Sequence, residues 1–437
     1  MTSKLVKFYI QKIKNIFWHY PKNIFLSFKY HHPAKKLTLI GITGTDGKTT
    51  TCTLIYETLK KAGINAGVIT TIGAKFGNDQ EIDTGLHMTS PDPYLIQQIL
   101  NQMAASGVTH VVCEVTAHAL DQHRFYGCHF QVALITNTSH EHLDYFLNMD
   151  NYIQAKSKLF KQAKFSILNK DDPSFKLLLS KFPSAKTYSI NKKSDFQAKK
   201  IQITPQKTSF FVNQRKITTD TIYRYQIYNI LATLATISQL NINVDYLIKT
   251  VVNFPLTKGR REEVSNDFGI KAIIDFAHTP NAIENTLSSL QTIKQGKIIA
   301  IFGATGGRDQ SKRPEMGLAA SKFADIAIIT ADDTRNEKID DINKQIISGI
   351  PQNSLLIDDT NITQIKKAIK NNPKTFIYFN IPNRQDAFNL SVKLSQPKDI
   401  IVAMGKGHET TILHGQTEYP WSENEAFRLA FSLKNKK

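Results

Sequence analysis

A strand that runs into a glycine-rich turn and straight on into a helix leaves a chain few architectures to choose from. Residues 36–44, KLTLIGITG, read as a buried strand, and residues 49–63, TTTCTLIYETLKKAG, as a helix closed by Gly63. Between them the chain reads Gly41-Ile42-Thr43-Gly44-Thr45-Asp46-Gly47-Lys48-Thr49-Thr50. Backbone N–H groups of such a turn point at anionic oxygens, and the helix N-terminus adds partial positive charge. Lys48 can neutralise β and γ phosphates, and the Thr49 hydroxyl can hold Mg2+. The strict phosphate-loop spacing asks for glycine five residues before Gly47, where Ile42 stands, so context carries the ATP reading. Its candidates are Gly44, Thr45, Asp46, Gly47, Lys48, Thr49 and Thr50.

The same alternation continues on both sides of a break near Pro255 and Gly259. Strand-like 67–73, 109–115 and 131–139 interleave with a helical 94–107, and 223–240 form a strong helix candidate. The stretch 165–216 is more polar, with short strand-like pieces. A second series follows, with strands predicted at 271–277, 296–304, 325–332, 375–379 and 399–405 and a helix at 281–293. The fold class expected is α/β. A central P-loop-type ATPase domain with a mostly parallel sheet spans 37–257, and a Rossmann-like domain spans 258–437. A length of 437 residues agrees with more than one core.

Composition narrows the function classes. Hydrophobic residues make up 41% and charged residues 21%, the balance of a globular enzyme. No apolar run approaches the roughly 18 residues that span a bilayer. The N-terminus lacks the continuous apolar stretch and small-residue site of a secretory signal. Cys52, Cys113 and Cys128 show neither paired nor metal-ligand spacing, which fits a reducing cytoplasm. The net charge of +18 comes without a nucleic-acid recognition module. No nucleic acid is expected, and the excess is assigned to a basic composition acting on anionic small substrates.

Residues 1–36 form a basic, aromatic extension. Leu5, Tyr9, Ile13, Ile16 and Tyr20 recur at three- and four-residue steps and line one face of a helix that Pro21 is expected to end. That face can pack on the following domain, which is the reading taken here, or lie on an anionic membrane through residues 1–30.

Eleven ordered motifs resemble those of the Mur ligase family. They are GITGTDGKTTT, TSPDP (89–93), EVTAHALDQHR (114–124), SHEHLDYF (139–146), YIQAKSKLF (152–160), YNILATLA (228–235), GRREEV (259–264), IDFAHTPNA (274–282) with FGATGGRDQSKRPEMG (302–317), TADDTRNE (330–337) and GKGHET (405–410). The nearest resemblance is to the members that add the third residue, meso-diaminopimelate or lysine, to UDP-N-acetylmuramoyl-L-alanyl-D-glutamate. The resemblance implies transfer of the ATP γ-phosphate to the substrate carboxylate and attack of an amine on the acyl phosphate. It implies ATP and Mg2+ as cofactors, a UDP-linked muramoyl dipeptide and a free amino acid as substrates, and a monomer in the cytoplasm.

Roles follow from the same resemblance. Lys48, Glu114, His142 and Lys156 would be catalytic, with Thr49, Glu114, His142 and a carbamylated Lys156 around metal. Lys158 would have no such role. Asn229 and His278 would lie on the adenine side. Thr89, Ser90, Thr116, Gln122 and Arg124 would contact the muramoyl-peptide, Arg124 as a fork for a carboxylate. Arg308, Asp332, Asp333, Thr334, Arg335, Gly405 and Glu409 would form the amino-acid pocket, arginines facing carboxylates and Glu409 an ammonium.

Two departures stand out. The family's diaminopimelate pocket reads Asp-Asn-Pro-Arg, whereas this chain reads Asp332-Asp333-Thr334-Arg335. Asp333 brings a charge that would repel a carboxylate or attract an ammonium, and Thr334 lacks proline's rigidity. The ATP loop also begins at residue 41, which leaves no room for the family's small UDP-gripping domain. Uridine would be held less tightly or by a partner. The rival readings are a ligase acting on folate, polyglutamate or a lipid-linked muropeptide, a non-catalytic subunit of an amidotransferase complex, and a nucleic-acid-binding ATPase.

Overall fold

The computed structural model describes residues 3–77, 80–83, 90–255, 257–359 and 361–435; Thr89 lies outside them. The chain forms two compact units, Met1–Pro255 and Leu256–Lys437.

The first unit is built on a nine-stranded sheet. Its strands are β1 (Thr38–Thr43), β2 (Ala66–Thr70), β3 (Gly73–Phe76), β4 (Gln80–Ile82), β5 (His110–Glu114), β6 (Phe130–Ile135), β7 (Ala163–Asn169), β8 (Lys186–Ser189) and β9 (Phe196–Gln197). They lie in the order β4-β3-β2-β5-β1-β6-β7-β8-β9. Only the β2–β3 and β3–β4 pairs are antiparallel. Parallel strands with both faces covered must be apolar on both. In β1, Ile40 and Ile42 enter the core under the helices Lys48–Lys61 and Tyr225–Gln239, and Leu39 enters the opposite one with Ile96 and Ile99 of the helix Pro93–Ala105. The carboxyl ends of β1, β5 and β6 therefore open on one edge, where α/β sheets bind ligands. The polar stretch forms a separate three-stranded antiparallel meander of β10 (Lys199–Ile203), β11 (Thr208–Val212) and β12 (Arg215–Thr219).

The N-terminal segment departs from the sequence reading. Pro21 does not end the helix: Ser3–Lys14 continues through a π turn, Asn15–His19, into a second helix, Tyr20–Lys29. The Tyr20 N–H reaches back to the Asn15 carbonyl, the five-residue step of a π turn, and Pro21 sits in the first turn of the new helix, where its missing N–H costs least. The segment packs on the unit, but not through its apolar face. Asn15, Asn23 and Ser27 are buried, whereas Tyr9, Ile13 and Ile16 are each more than half exposed.

The second unit holds a seven-stranded sheet of β13 (Arg260–Val264), β14 (Lys271–Asp275), β15 (Ile298–Phe302), β16 (Ile326–Ile329), β17 (Leu355–Leu356), β18 (Ile377–Asn380) and β19 (Ile400–Met404). Its order is β13-β14-β19-β15-β16-β18-β17, with only the β13–β14 pair antiparallel. A hairpin, β20 (Thr411–His414) and β21 (Thr417–Pro420), follows. One buried ion pair ties strand ends together. Arg384 bonds Glu423 Oε1 through Nη2 at 2.6 Å, while its other N–H groups reach the carbonyls of Ala331 at 2.8 Å and Met404 at 3.0 Å. Arg384→Met leaves Glu423 buried without its cation. Urea unfolding of this unit should show a loss of about 3–5 kcal/mol; a loss below about 1 kcal/mol would contradict the role given to the pair.

Candidate active site

In the first unit the turn after β1 is shaped by two glycines whose neighbours leave no room for a side chain. Gly44 (φ +146°) lies so close to β6 that a Cβ would fall 1.8 Å from Thr136 Oγ1, and Gly47 (φ +80°) caps the helix Lys48–Lys61 with a Cβ position 2.7 Å from Asn229 Oδ1. The loop is held from outside. Asp46 N donates to Asn137 Oδ1 at 2.9 Å, Thr136 Oγ1 donates to the Asp46 carbonyl at 2.6 Å, and Thr45 Oγ1 meets the Tyr152 hydroxyl at 3.2 Å. Asn229 is buried beside the loop, accepting from Thr51 Oγ1 at 3.2 Å and donating to Gln226 at 2.7 Å.

The first turn of the helix meets the end of β5. Thr49 Oγ1 donates to Glu114 Oε2 at 2.8 Å, the Thr71 N–H bonds the same oxygen at 3.2 Å, and Lys48 Nζ stands 3.8 Å from Oε1. A hydroxyl and a carboxylate side by side are the hard oxygen donors Mg2+ uses when phosphates and water complete its shell. No three His, Cys, Asp or Glu side chains converge into a metal site among the described residues. Thr49 and Glu114 are the donors that fit such an ion.

Lys156 and Lys158 have opposite surroundings two residues apart. Lys158 forms an ion pair with Asp121 at 2.9 Å. Lys156 is buried, with its ammonium 4.2 Å from the centre of the Tyr152 ring. Burial first, and the Lys48 charge second, hold its amine well below the usual lysine range. His142, in a left-handed conformation (φ 58°), packs edge-on against His118 and faces Tyr152. Tyr152 thus links His142, Lys156 and Thr45 of the loop.

The predicted muramoyl-peptide residues form one local network. Ser90 Oγ donates to the Glu114 carbonyl at 3.2 Å and accepts from the Thr116 N–H at 3.0 Å. Thr116 caps the helix Ala117–Asp121. Arg124 donates to the Ser90 carbonyl at 2.6 Å and to Gln122 Oε1 at 2.8 and 3.0 Å. Much of its fork thus shapes the turn around Ser90.

In the second unit, Asp332, Asp333, Gly405 and Glu409 gather around a residue the sequence reading passed over. Lys406, fully buried, bonds Asp333 Oδ1 at 2.7 Å and Glu409 at 2.5 Å. Burial lowers the Lys406 pKa, but Asp332, Glu409 and Asp333 outweigh it and raise it. Burial likewise pushes Asp332 up, and Lys406 and Arg384 more than reverse this. The Asp333 charge is therefore engaged by the protein's own ammonium, as is that of Glu409. A Cβ on Gly405 would fall 2.7 Å from Asp332 Oδ2. Thr334 donates its N–H to the Leu413 carbonyl at 2.9 Å, a bond proline could not make. Arg335 (φ 49°) bridges to His414 of β20, and its buried Nε has no hydrogen-bond partner.

Arg308 is exposed, on a loop that a second missed pair holds in place. Arg313 bonds both oxygens of Glu337 at 2.8 and 3.1 Å, and Glu337 also accepts from the Gly307 N–H. These contacts bring the Glu337 carboxyl down to about 2. Near His278, Asp275 is buried at the end of β14 and its pKa is raised, burial outweighing Arg260 and Arg261. His278 Nδ1 bonds the Phe276 carbonyl at 2.8 Å. Motif spacing could have flagged Lys406 and Glu337, which lie inside the quoted motifs; nothing local flags Arg384 or Glu423.

Comparison with known proteins agrees with this geometry. The family model for the Mur ligase middle domain matches residues 42–237, and that for the Mur ligase glutamate ligase domain matches 259–407. A UDP-N-acetylmuramoyl-L-alanyl-D-glutamate–2,6-diaminopimelate ligase of Geobacillus thermodenitrificans is 32% identical over 92% of this chain and 80% of its own length. The enzyme of the same name from Clostridium perfringens is 34% identical over 87% of this chain and 75% of its own. The solved MurF ligase of Thermotoga maritima in complex with ADP shares the fold, with a TM-score of 0.66, 16% identity and coverage of 94% of this chain and 85% of that one. The chain belongs to the Mur ligase family, whose members are ATP-dependent acid–amino-acid ligases.

The buried Lys156 gives a pH signature. The unfolded chain binds a proton there that the folded chain resists, so this residue costs stability as pH falls from about 10.4 toward the depressed folded pKa. In CO2-free buffer, Lys156→Met should stabilise the protein at pH 7 and do so less at pH 10, read from urea midpoints. An equal effect at both pH values would contradict the assignment.

Proposed function

We propose that this chain joins an amino acid, meso-diaminopimelate in preference to lysine, to UDP-N-acetylmuramoyl-L-alanyl-D-glutamate at the expense of ATP, in the cytoplasm and as a monomer. In this reading residues 37–257 are the ATP-binding domain, 258–437 the amino-acid domain and 1–36 an N-terminal extension. The observation that carries it is the set of Lys48, Thr49 and Glu114 under the Gly44–Gly47 turn, in a chain at least 30% identical to diaminopimelate ligases over most of its length.

The chemistry needs charge neutralisation and alignment more than a nucleophilic side chain. The loop N–H groups and Lys48 would bind the β and γ phosphates, with Asn229 and His278 assigned to the adenine side. Mg2+ held by Thr49 and Glu114 would supply further positive charge to those phosphates. The substrate carboxylate attacks the γ phosphorus, ADP leaves, and the acyl phosphate is opened by the incoming amine with release of phosphate. The depressed pKa of Lys156 keeps a neutral amine available to CO2. Carbamate formation releases one proton and converts the side chain to an anion able to join the metal-binding oxygens, with His142 beside it. Ser90, Thr116, Gln122 and Arg124 are assigned to the muramoyl-peptide and Thr89 to the same contact.

For the amino acid, the Asp333–Lys406–Glu409 group sets two carboxylates against one ammonium and keeps net negative charge, which suits the ammonium end of the ligand. Arg335, with its buried and unpartnered Nε, is the group assigned to a distal carboxylate, with Arg308 in support. That assignment favours diaminopimelate over lysine, which has no second carboxylate.

Phosphate release with UDP-N-acetylmuramoyl-L-alanyl-D-glutamate should be stimulated by diaminopimelate far more than by lysine, ornithine or D-glutamate. Stimulation by lysine alone would overturn the substrate, and stimulation by a pteroate acceptor instead would overturn the family branch. Glu114→Gln should lower kcat at least 100-fold, about 2.7 kcal/mol, with the fold retained by circular dichroism. Near-normal turnover would remove Glu114 from the site.

A further inference from the structure

The N-terminal helices turn the usual amphipathic arrangement inside out. A helix on a globular protein buries its apolar stripe and shows its polar one to water. Here the buried side is mostly polar, with Leu26 the apolar residue among Asn15, Asn23 and Ser27. Asn15 Nδ2 donates to Asp121 Oδ2 at 2.7 Å, Lys12 pairs with Asp121 at 2.7 Å, and Asn23 Nδ2 donates to the Gln122 carbonyl at 2.8 Å. Asp121 is itself buried and also holds Lys158, so the attachment is specific rather than incidental.

The opposite side is apolar and open. Among the described residues, ten of the seventeen exposed large hydrophobic ones lie between Val6 and Phe28, a concentration that scattered surface residues do not explain. Val6, Ile10, Ile13, Phe17, Pro21, Phe25 and Phe28 follow one another at steps of three or four. The three consecutive steps of four would drift off a regular helix. The π turn at Asn15–His19 takes up the extra residue and keeps the stripe continuous past Pro21. The stripe runs over a rod of roughly 40 Å, from 1.5 Å per residue, with Phe17 at 76% and Trp18 at 64% exposure.

Charge selects what covers it. Residues 1–36 contain eight lysines and no Asp or Glu, and Lys7, Lys14, Lys22, Lys29, Lys35 and Lys36 are exposed. Two copies laid face to face would bring lysines against lysines, which disfavours self-association. An apolar stripe rich in aromatics and edged by lysines is what an anionic bilayer surface accepts, apolar side chains at the acyl boundary and ammonium groups among the headgroup phosphates. No described helix is long and apolar enough to cross a membrane, so the contact is with one leaflet.

We infer that the rod formed by residues 3–29 docks this protein on the surface of an anionic lipid bilayer through its Val6-to-Phe28 stripe. Because the rod is pinned to Asp121 and Gln122, the segment assigned to the muramoyl-peptide is carried to that surface with it. The docking itself does not depend on the ligase reading.

The test is co-sedimentation of the full-length protein with vesicles of phosphatidylglycerol and phosphatidylcholine, beside vesicles of phosphatidylcholine alone. Binding should be at least tenfold stronger to the anionic vesicles and should weaken with salt. The double variant Phe17→Ser, Phe25→Ser alters only exposed side chains; it should lose binding at least tenfold and keep its circular dichroism and thermal midpoint. In Trp421→Phe, Trp18 is the one remaining tryptophan, and its emission should shift to the blue on anionic vesicles. Equal binding to both vesicle types, binding unchanged in the double variant, or no blue shift would each overturn the inference. A concentration-dependent dimer abolished by the double variant, without vesicle binding, would assign the stripe to a second copy instead.

Discussion

The hydrogen bond from Thr49 to Glu114 joins the two halves of the site proposed for the nucleotide. Thr49 lies in the first turn of the helix that follows the Gly44–Gly47 turn, and Glu114 ends a strand two chain crossovers away. Their contact requires β1 and β5 to be adjacent and parallel in one register, Ile42 opposite Glu114. Everything packed around that register, from the apolar faces of β1 to the Thr136 contact with the loop, serves to keep one hydroxyl and one carboxylate 2.8 Å apart beside a lysine. An error of one residue in the pairing would turn Glu114 to the other face of the sheet.

The second unit solves a different electrostatic problem. Two buried carboxylates, Asp332 and Asp333, lie beside the partly exposed Glu409, where an unpaired charge would be costly. Lys406 offsets one of these charges from inside, and Arg384 pairs with Glu423. This changes the meaning of the Asp333 substitution in the Asp-Asp-Thr-Arg sequence. The added charge is absorbed by the protein, and Thr334 makes up for the lost proline with a backbone bond to Leu413. Arg335 is left as the cation of that segment whose Nε is buried without a partner.

Much of the architecture was legible because it rests on local patterns. Apolar runs such as IIAIF and IIVAM can only be strands covered on both faces, and the glycines before Lys48 announce the turn they form. What could not be read was non-local. Arg384 and Glu423 meet across 39 positions, and Lys12 meets Asp121 across 109. Helical periodicity marks residues 5–20 as amphipathic but says nothing about which face meets the protein, and the stripe left open runs through Val6, Ile10 and Phe17 rather than Leu5. The fold chose the polar one because Asp121 is buried there and needs donors. Pro21 was misread for a related reason: a π turn, invisible in the periodicity, lets the helix pass it.

An amide ligase that works through an acyl phosphate must move one carboxylate oxygen into the phosphate it releases. The substrate dipeptide labelled with 18O in the D-glutamate γ-carboxylate, turned over with ATP and diaminopimelate, measures this in a single mass spectrum. The acyl-phosphate route predicts one 18O in each phosphate released. Amide product accompanied by unlabelled phosphate would contradict it.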